Sequence, residues 1–318
     1  MSNKASTDKG KLLDVRRLSL LRDFAAFGTI AATAESAQLS GPAVSQQLAA
    51  LEREAGVPLL EKHGRGLQLT EAGRRLVGHA DVILGGLLAA EADLESLRGG
   101  TTGVIHIAAF PSAARVLLPY VWRHLTESSA RDIALRIADH EPDAAIEALR
   151  QRQADLAIIH SYNLLPRDLP TATEQIHLLD DPVVLALHPD LAAVHKLTRG
   201  SAADLERFAD ENWLLPTPGT TAHELTLRAC GAAGFIPAPV ATATDFSVLT
   251  ALAAADAGVA LIPRMALPAD IEGVSLHRLK VPVTRTVSAL VPAGASLHPS
   301  TRQVLELLKE AALRPWRP

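Results

Sequence analysis

The stretch "ATAESAQLSGPAVSQQLAALEREAGVPLLEKHGRGLQLTEAG", Ala32 to Gly73, places a short helix, a tight turn, a second helix and a hairpin in direct succession. Ser40 is a suitable N-cap for the second helix, and Pro42 is tolerated in its first turn. One apolar stripe follows at helical spacing, formed by Val44, Leu48, Leu51 and Ala55. This order predicts a winged helix-turn-helix, in which the second helix of the pair enters the major groove of DNA.

The neighbouring segments complete a domain predicted over residues 12–69. A helical period of apolar residues from Asp14 to Phe27 predicts a first helix, which ends at Gly28. Two short strands with a turn between them are predicted from Leu59 to Leu69, and they form the wing. Residues 1–11 are polar and charged and are predicted to be a disordered tail.

The outward side of the recognition helix carries the candidate base contacts. Opposite the apolar stripe lie Pro42, Gln46, Ala49 and Arg53, with Ser45 at the flank. A glutamine can pair bidentately with adenine, and a serine can contact a base or a phosphate. The helix is poor in positive charge, so the candidates for phosphate contacts lie around it: Arg16, Arg17, Arg22, Lys62, Arg65, Arg74 and Arg75. A solvated surface charge remains the alternative for each of these.

The distribution of charge supports a DNA-contacting end. The net charge of the chain is -4, which by itself argues weakly against nucleic acid. Residues 1–79 nevertheless carry 11 Lys and Arg against 8 Asp and Glu, whereas the remainder carries 20 against 27. The positive charge therefore sits at one end, as expected for a small DNA-binding module joined to a larger domain.

A long apolar stripe follows the wing, from Thr70 to Leu97. Its members alternate at spacings of four and three: Leu76, Ala80, Ile83, Leu87, Ala90, Leu94 and Leu97. Such a stripe is typical of a coiled-coil seam, so residues 70–98 are predicted to be a linker helix that dimerises. The alternative is a helix that lies on its own domain. Residues 99–103, with three glycines, predict a hinge.

The remainder of the chain, residues 104–318, alternates strand-like and helical segments. The predicted strands are Val104–Phe110, Ile133–Ala138, Leu156–Ile159, Val183–His188 and Val259–Pro263. The predicted helices are Ala113–Thr126, Asp143–Gln151, Ala222–Ala233 and Phe246–Ala257. This alternation predicts an α/β domain with a mostly parallel sheet, behind an all-α N-terminus.

Polar residues after the predicted strands are candidates for binding a small molecule. Ligands of such sheets bind at the carboxyl ends of the strands, where helix N-termini offer N–H groups. Ser112 follows the first strand and could bind an anionic or hydroxylated effector. A second group of candidates comprises Thr217, Gly219, Thr220 and Thr221, and a third comprises Asp245 and Phe246. Simple helix capping remains the alternative for these polar groups.

Enzymatic and membrane functions find no support in the sequence. It contains no G-x-S-x-G, H-E-x-x-H, P-loop or strand-linked G-x-G-x-x-G motif, and its histidines lack metal-ligand spacing. We therefore expect neither a catalytic residue, a metal nor a cofactor. A single cysteine, Cys230, and the lack of a membrane-length apolar run lead us to expect a cytoplasmic protein.

The quoted stretch resembles the N-terminal signature of LysR-type transcriptional regulators. The likeness includes "SGPAVSQQ" at the start of the recognition helix and "GRGLQLTEAG" at the wing exit. It extends over nearly the whole chain, because "FPSAARVLLP", "ADLAII" and "AAADAGVALIP" fall where the family has them. Two positions depart from the usual pattern: Gly41 stands where glutamine is common, and Gln46 where arginine is common.

The resemblance implies a function and an architecture. It implies a homodimer, often a tetramer, that binds a pseudo-palindromic operator in double-stranded DNA and has RNA polymerase as a further candidate partner. Its base-proximal residues would be Gly41, Pro42, Ser45 and Gln46, with Arg65 reaching a groove. A small co-inducer of unknown identity would bind between two periplasmic-binding-protein-like subdomains. Subdomain I is expected at about 104–170 and 275–318, and subdomain II at about 171–274.

A second hypothesis from another class stays open at this point. The same α/β fold serves small-molecule binding proteins and enzymes, whose helical N-terminus would then only mediate association. The uneven charge and the wing favour the regulator.

Overall fold

The computed structural model describes residues 12–64, 66–97, 103–127, 133–170, 173–198 and 200–314. The predicted tail, the wing residue Arg65 and nearly all of the predicted hinge lie outside the described residues.

The N-terminal domain is a winged helix-turn-helix, as the sequence predicts. Its elements are α1 (Val15–Phe27), α2 (Ile30–Ser36), α3 (Gly41–Ala55), β1 (Leu60–His63) and β2 (Gly66–Leu69). Each helix begins at a side-chain cap, because Asp14, Thr29 and Ser40 accept hydrogen bonds from backbone N–H groups of the first turn. The stripe of α3 packs against α1, and β1 and β2 pair antiparallel.

The predicted dimer seam lies on helix α4 (Glu71–Leu97), where its first and second parts have different environments. Ala80 is fully buried and Leu76 is partly buried, and both pack against the core of the DNA-binding domain. For Ala80 this corrects the prediction, because a side chain with no accessible surface in one chain cannot contact a second. Ile83, Leu87 and Leu94 are 42%, 43% and 58% exposed and remain available to a partner helix.

The C-terminal part is an α/β domain whose elements extend beyond those that the sequence predicts. Its first half comprises β3 (Gly103–Ala109), α5 (Pro111–Glu127), β4 (Ile133–Asp139), α6 (Pro142–Arg150), β5 (Leu156–Tyr162) and β6 (Thr173–Leu187). Its second half begins with α7 (Pro189–Val194), β7 (Ala202–Ala203), β8 (Asn212–Pro216), α8 (Thr221–Ala232) and β9 (Ala238–Ala243). It continues with α9 (Phe246–Ala254), β10 (Ala260–Pro263), β11 (Ser275–Leu279), β12 (Thr284–Pro292) and α10 (Pro299–Leu313). Short 3₁₀ turns lie at Leu205–Phe208, Arg264–Ala266 and Ala295–Leu297.

The sheet is mixed, so the prediction of a mostly parallel sheet was wrong. Its strand order is β4-β3-β5-β12-β6-β11-β7, and β10 also pairs with β6. β3 runs parallel to β4 and β5, whereas β12 runs antiparallel to both β5 and β6. The physical reason is that β6 and β12 carry the chain out of one subdomain and back, and so they must run in opposite directions.

The paths of β6 and β12 show that the subdomain boundaries differ from the predicted ones. The first half of β6 pairs with β12 in subdomain I, and its second half pairs with β10 and β11 in subdomain II. Subdomain II therefore begins near Asp181, inside β6, rather than at residue 171. It ends near Val283, after β11, rather than at residue 274, because β11 packs with the second core.

Two glycines of α4 offer a test of this domain. A Cβ at Gly73 would overlap the carbonyl oxygen of Leu59, whereas a Cβ at Gly78 would meet no atom within 4 Å. Gly73→Ala should lower the free energy of unfolding by about 1–3 kcal/mol through overpacking. Gly78→Ala, the matched control, should raise it by up to about 1 kcal/mol through helix propensity. Urea denaturation measures both, and equal effects of the two variants would contradict the close approach of α4 to Leu59.

Candidate DNA-binding surface and effector cleft

The outward face of α3 is open to solvent at its N-terminal end. Pro42, Ser45 and Gln46 are exposed and Gly41 is half-buried, while the stripe on the opposite side is buried. The hydroxyl of Ser40 accepts the N–H of Ala43 at 3.3 Å and fixes the start of the helix. The four residues predicted to lie near bases therefore share one accessible end of α3.

The cations predicted to attract phosphates divide into two groups. Lys62 on the wing and Arg16 on α1 are exposed. Arg17 instead binds Gln47 and Glu54, and Arg74 and Arg75 pair with Glu71. Arg22 is mostly buried, 3.9 Å from Asp81, so the prediction of a phosphate contact for Arg22 was wrong. Burial on the inner side of α1 is the physical reason.

A buried ion pair lies beside the predicted effector residue Ser112. Arg285 of β12 and Asp181 of β6 are 2% and 0% exposed and pair at 2.7 Å. Arg285 also donates to the Ser112 hydroxyl at 3.0 Å, and Asp181 accepts the N–H of Met265 at 3.0 Å. Burial raises the pKa of Asp181, and the guanidinium of Arg285 opposes that shift.

A buried histidine lies next to this pair at the carboxyl end of β5. The ring of His160 is 4% exposed and makes edge contacts with Phe110 at 4.7 Å and Tyr162 at 5.2 Å. Burial lowers the pKa of His160 to about 4, so the imidazole is neutral at pH 7. Its Nδ1 has no hydrogen-bond partner within the described part of the chain, and its Nε2 lies 3.9 Å from Glu141.

The residues predicted in subdomain II have separate environments. Thr220 caps α8 and Asp245 caps α9, so capping accounts for both, and Phe246 packs against the core. Thr217 and Thr244 share a hydrogen bond of 3.0 Å, and Gly219 forms the turn with φ 86°. Thr221 is joined to subdomain I through a side chain, because Arg167 donates to its hydroxyl at 3.4 Å and pairs with Asp143 of α6.

Four residues of this site were missed from the sequence: His160, Arg167, Asp181 and Arg285. Of these, His160 carried a signal, since it directly follows the apolar start of β5 and a buried polar residue needs a partner. Asp181 and Arg285 stand beside other polar residues, in "LLDDPVV" and "TRTVSALVP", and gave no such signal. Cys230 is a core residue of α8, and burial raises the pKa of its thiol to about 12. It therefore carries no thiolate at neutral pH.

Two kinds of feature are absent from the residues that the structure describes. None of the described helices is both long and apolar enough to cross a membrane. Among those same residues, His, Cys, Asp and Glu nowhere gather into a group of three that could hold a metal ion.

The buried imidazole gives a pH-dependent prediction. The unfolded chain protonates His160 below about pH 6.5, while the folded chain resists this until about pH 4. The contribution of the neutral His160 to the free energy of unfolding is therefore fully present above pH 6.5. It is lost as the pH falls towards 4, by about 2 kcal/mol between pH 7 and pH 5. Urea denaturation at several pH values should show that His160→Gln removes this part of the loss. An unchanged slope below pH 6.5 in the variant would contradict the neutral, buried ring.

Family comparisons agree with both halves of this architecture. Residues 15–74 match the model of the bacterial regulatory helix-turn-helix protein, lysR family. Residues 98–313 match the model of the LysR substrate binding domain. Together the two matches include α3, the wing and every residue of the cleft described above.

Similar proteins cover almost the full length of the chain. The DNA-binding transcriptional dual regulator OxyR of Escherichia coli is 25% identical over 301 residues, which are 93% of this chain and 95% of OxyR. The transcriptional dual regulator GltC of Bacillus subtilis is 26% identical, over 84% of this chain and 86% of GltC. Among solved structures, ArgP from Mycobacterium tuberculosis has a TM-score of 0.61 at 18% identity and covers 96% of this chain and 99% of its own. The latter likeness concerns the fold.

Proposed function

Because the chain belongs to the LysR family of DNA-binding transcription regulators, we propose that two copies of it read a pseudo-palindromic operator through α3 and the wing. The observation that carries this proposal is the exposed end of α3, where Pro42, Ser45 and Gln46 are accessible while the opposite stripe is buried. The protein acts in the cytoplasm, where the DNA is, and its α/β domain is a receptor rather than an enzyme.

Base reading and phosphate attraction are assigned to different elements. Gln46 and Ser45 carry the donors and acceptors that distinguish bases, and Gly41 allows a close approach of the backbone. Lys62 of the wing and Arg16 of α1 supply positive charge for phosphates. Contacts to phosphates position the protein, and contacts to the bases carry the sequence information.

Dimerisation is assigned to the outer side of α4. Ile83, Leu87 and Leu94 are large apolar side chains at heptad spacing that one chain leaves exposed. A second copy of α4 would cover them in a coiled-coil seam. The two recognition helices would then face two half-sites about one helical turn apart, a spacing of about 34 Å.

The effector is proposed to be a small polar molecule bound between the subdomains. Ser112 and His160 lie at the carboxyl ends of β3 and β5, and Thr221 begins α8 on the other side. A buried imidazole nitrogen without a partner favours a ligand that can donate or accept a hydrogen bond there. Thiol oxidation is not the proposed signal, since the thiol of Cys230 is buried and protonated.

The assignment of Gln46 is tested with Gln46→Ala. This variant should lose about 1–3 kcal/mol of discrimination at one operator base pair, because a bidentate contact to a base edge is removed. Lys62→Ala is the matched control and should weaken all sequences alike, with a salt slope smaller by about one. Affinity measurements on a set of single-base operator variants separate the two effects. If Gln46→Ala weakened every variant equally, α3 would not read bases through this residue.

The seam is tested with Leu87→Asp. A carboxylate in an apolar seam has no partner and is costly to bury, so the dimer should dissociate. Val194→Asp, a change at a 73% exposed residue of α7, is the control and should stay dimeric. Analytical ultracentrifugation measures both, and an unchanged sedimentation profile for Leu87→Asp would refute the seam.

A further inference from the structure

The C-terminal end of α1 in the DNA-binding domain lies against the C-terminal end of α6 in the effector-binding domain of the same chain. Arg150 donates to the carbonyl oxygens of Ala25, at 3.3 Å, and Ala26. Carbonyls of a last turn lack partners within their own helix, and α1 has no basic residue there. A guanidinium from the other domain therefore caps α1 and complements the negative end of its dipole.

An ion pair between Arg152 and Asp23 reinforces this contact. The side chain of Asp23 is 8% exposed, and burial raises its pKa while Arg152 and Arg22 oppose the shift. Arg22 in turn lies 3.9 Å from Asp81 of α4, whose pKa burial raises to about 6. Because a buried carboxylate without a charged partner is costly, Asp23 favours the position in which Arg152 reaches it.

Helix α4 makes a second contact with the effector-binding domain at Gly85. A Cβ at this position would lie 2.6 Å from the carbonyl oxygen of Ala293 and 3.0 Å from the Cα of Gly294. Only a residue without a side chain permits this approach. The touched segment directly follows β12, so the linker helix rests on the end of that strand.

The opposite ends of α6 and β12 both lie at the proposed effector site. At the start of α6, Asp143 pairs with Arg167, which donates to Thr221 of subdomain II. At the start of β12, Arg285 donates to Ser112. α6 has nine residues, a length of about 13 Å, and β12 also has nine. Each is a regular element with one end at the cleft and the other at the DNA-binding half.

We infer that α6 and β12 carry movements of the effector cleft to α1 and α4, through the contacts of Arg150 and Arg152 and through Gly85. A ligand that changes the position of Arg167 or Arg285 shifts one end of these elements. The movement of the other end then changes the contacts of Arg150, Arg152 and Gly85 with α1 and α4. The inference rests on the proposed function and adds the route by which the cleft and α3 are coupled within one chain.

Coupling between two sites is reciprocal, which permits a test without the effector. If the cleft controls the DNA-binding domain, DNA binding must also change the cleft. Hydrogen exchange is measured on the full chain, with and without a duplex from the region upstream of its own gene. DNA should change the exchange of Asp143–Arg150 and of the start of α8 by about fivefold. Arg150→Ala/Arg152→Ala should lose this response and retain DNA binding, since neither arginine lies on the DNA-binding surface.

Two further variants separate coupling from general damage. Arg152→Lys keeps the charge opposite Asp23 and should keep most of the response. Arg278→Ala removes an exposed arginine of β11, away from α1, and should leave the response unchanged.

The outcomes distinguish the two proposals. Sequence-selective DNA binding with no change of exchange in α6 would overturn the coupling alone, as would a full response in Arg150→Ala/Arg152→Ala. A chain that binds no duplex selectively at any salt concentration would overturn the proposed function and the coupling together.

Discussion

A buried guanidinium has to keep a charged partner, and here Arg285 and Asp181 meet where β12 and β6 cross between the subdomains. The two residues are register partners in the antiparallel pair and lie 2.7 Å apart with almost no exposure. Breaking such a pair by removing one partner costs about 3–5 kcal/mol. The same pair holds Ser112 of α5 and the N–H of Met265 beyond β10. The pair thereby joins the two subdomains through β6 and β12.

The local parts of the fold could be predicted from the sequence because local chemistry determines them. The cap Ser40 and the stripe from Val44 to Ala55 placed α3 within a residue or two. The course of β6 and β12 could not be predicted, since an alternating strand does not reveal which sheet it joins. Ala80 shows the same limit: a seven-residue stripe indicates a covered face but not whether the cover comes from the same chain.

The candidate site was predictable on one side only. Ser112 follows the first strand directly, so the rule that ligands bind at carboxyl strand ends located it. Its partner Arg285 lies 173 residues farther along the chain. Only the pairing of strands brings the two together, and an arginine between two threonines in "TRTVSALVP" gives no sign of its burial. Capping explains Thr220 and Asp245, as the sequence had left open.

The contact between the DNA-binding domain and α6 is weak enough for the binding of an effector to break it. The side chains of Arg150 and Arg152 are 45% and 44% exposed, so water screens their interactions. A helix cap in such surroundings contributes about 1 kcal/mol. Separating Arg152 from Asp23 costs more than breaking an exposed pair, because the Asp23 side chain is only 8% exposed. A ligand shifts an equilibrium only by its difference in affinity for two states, commonly 1–3 kcal/mol in coupled sites. The binding of one small molecule can therefore separate α1 from the C-terminal end of α6, because few contacts hold them together. The buried pair of Arg285 and Asp181 keeps the two subdomains joined in both states.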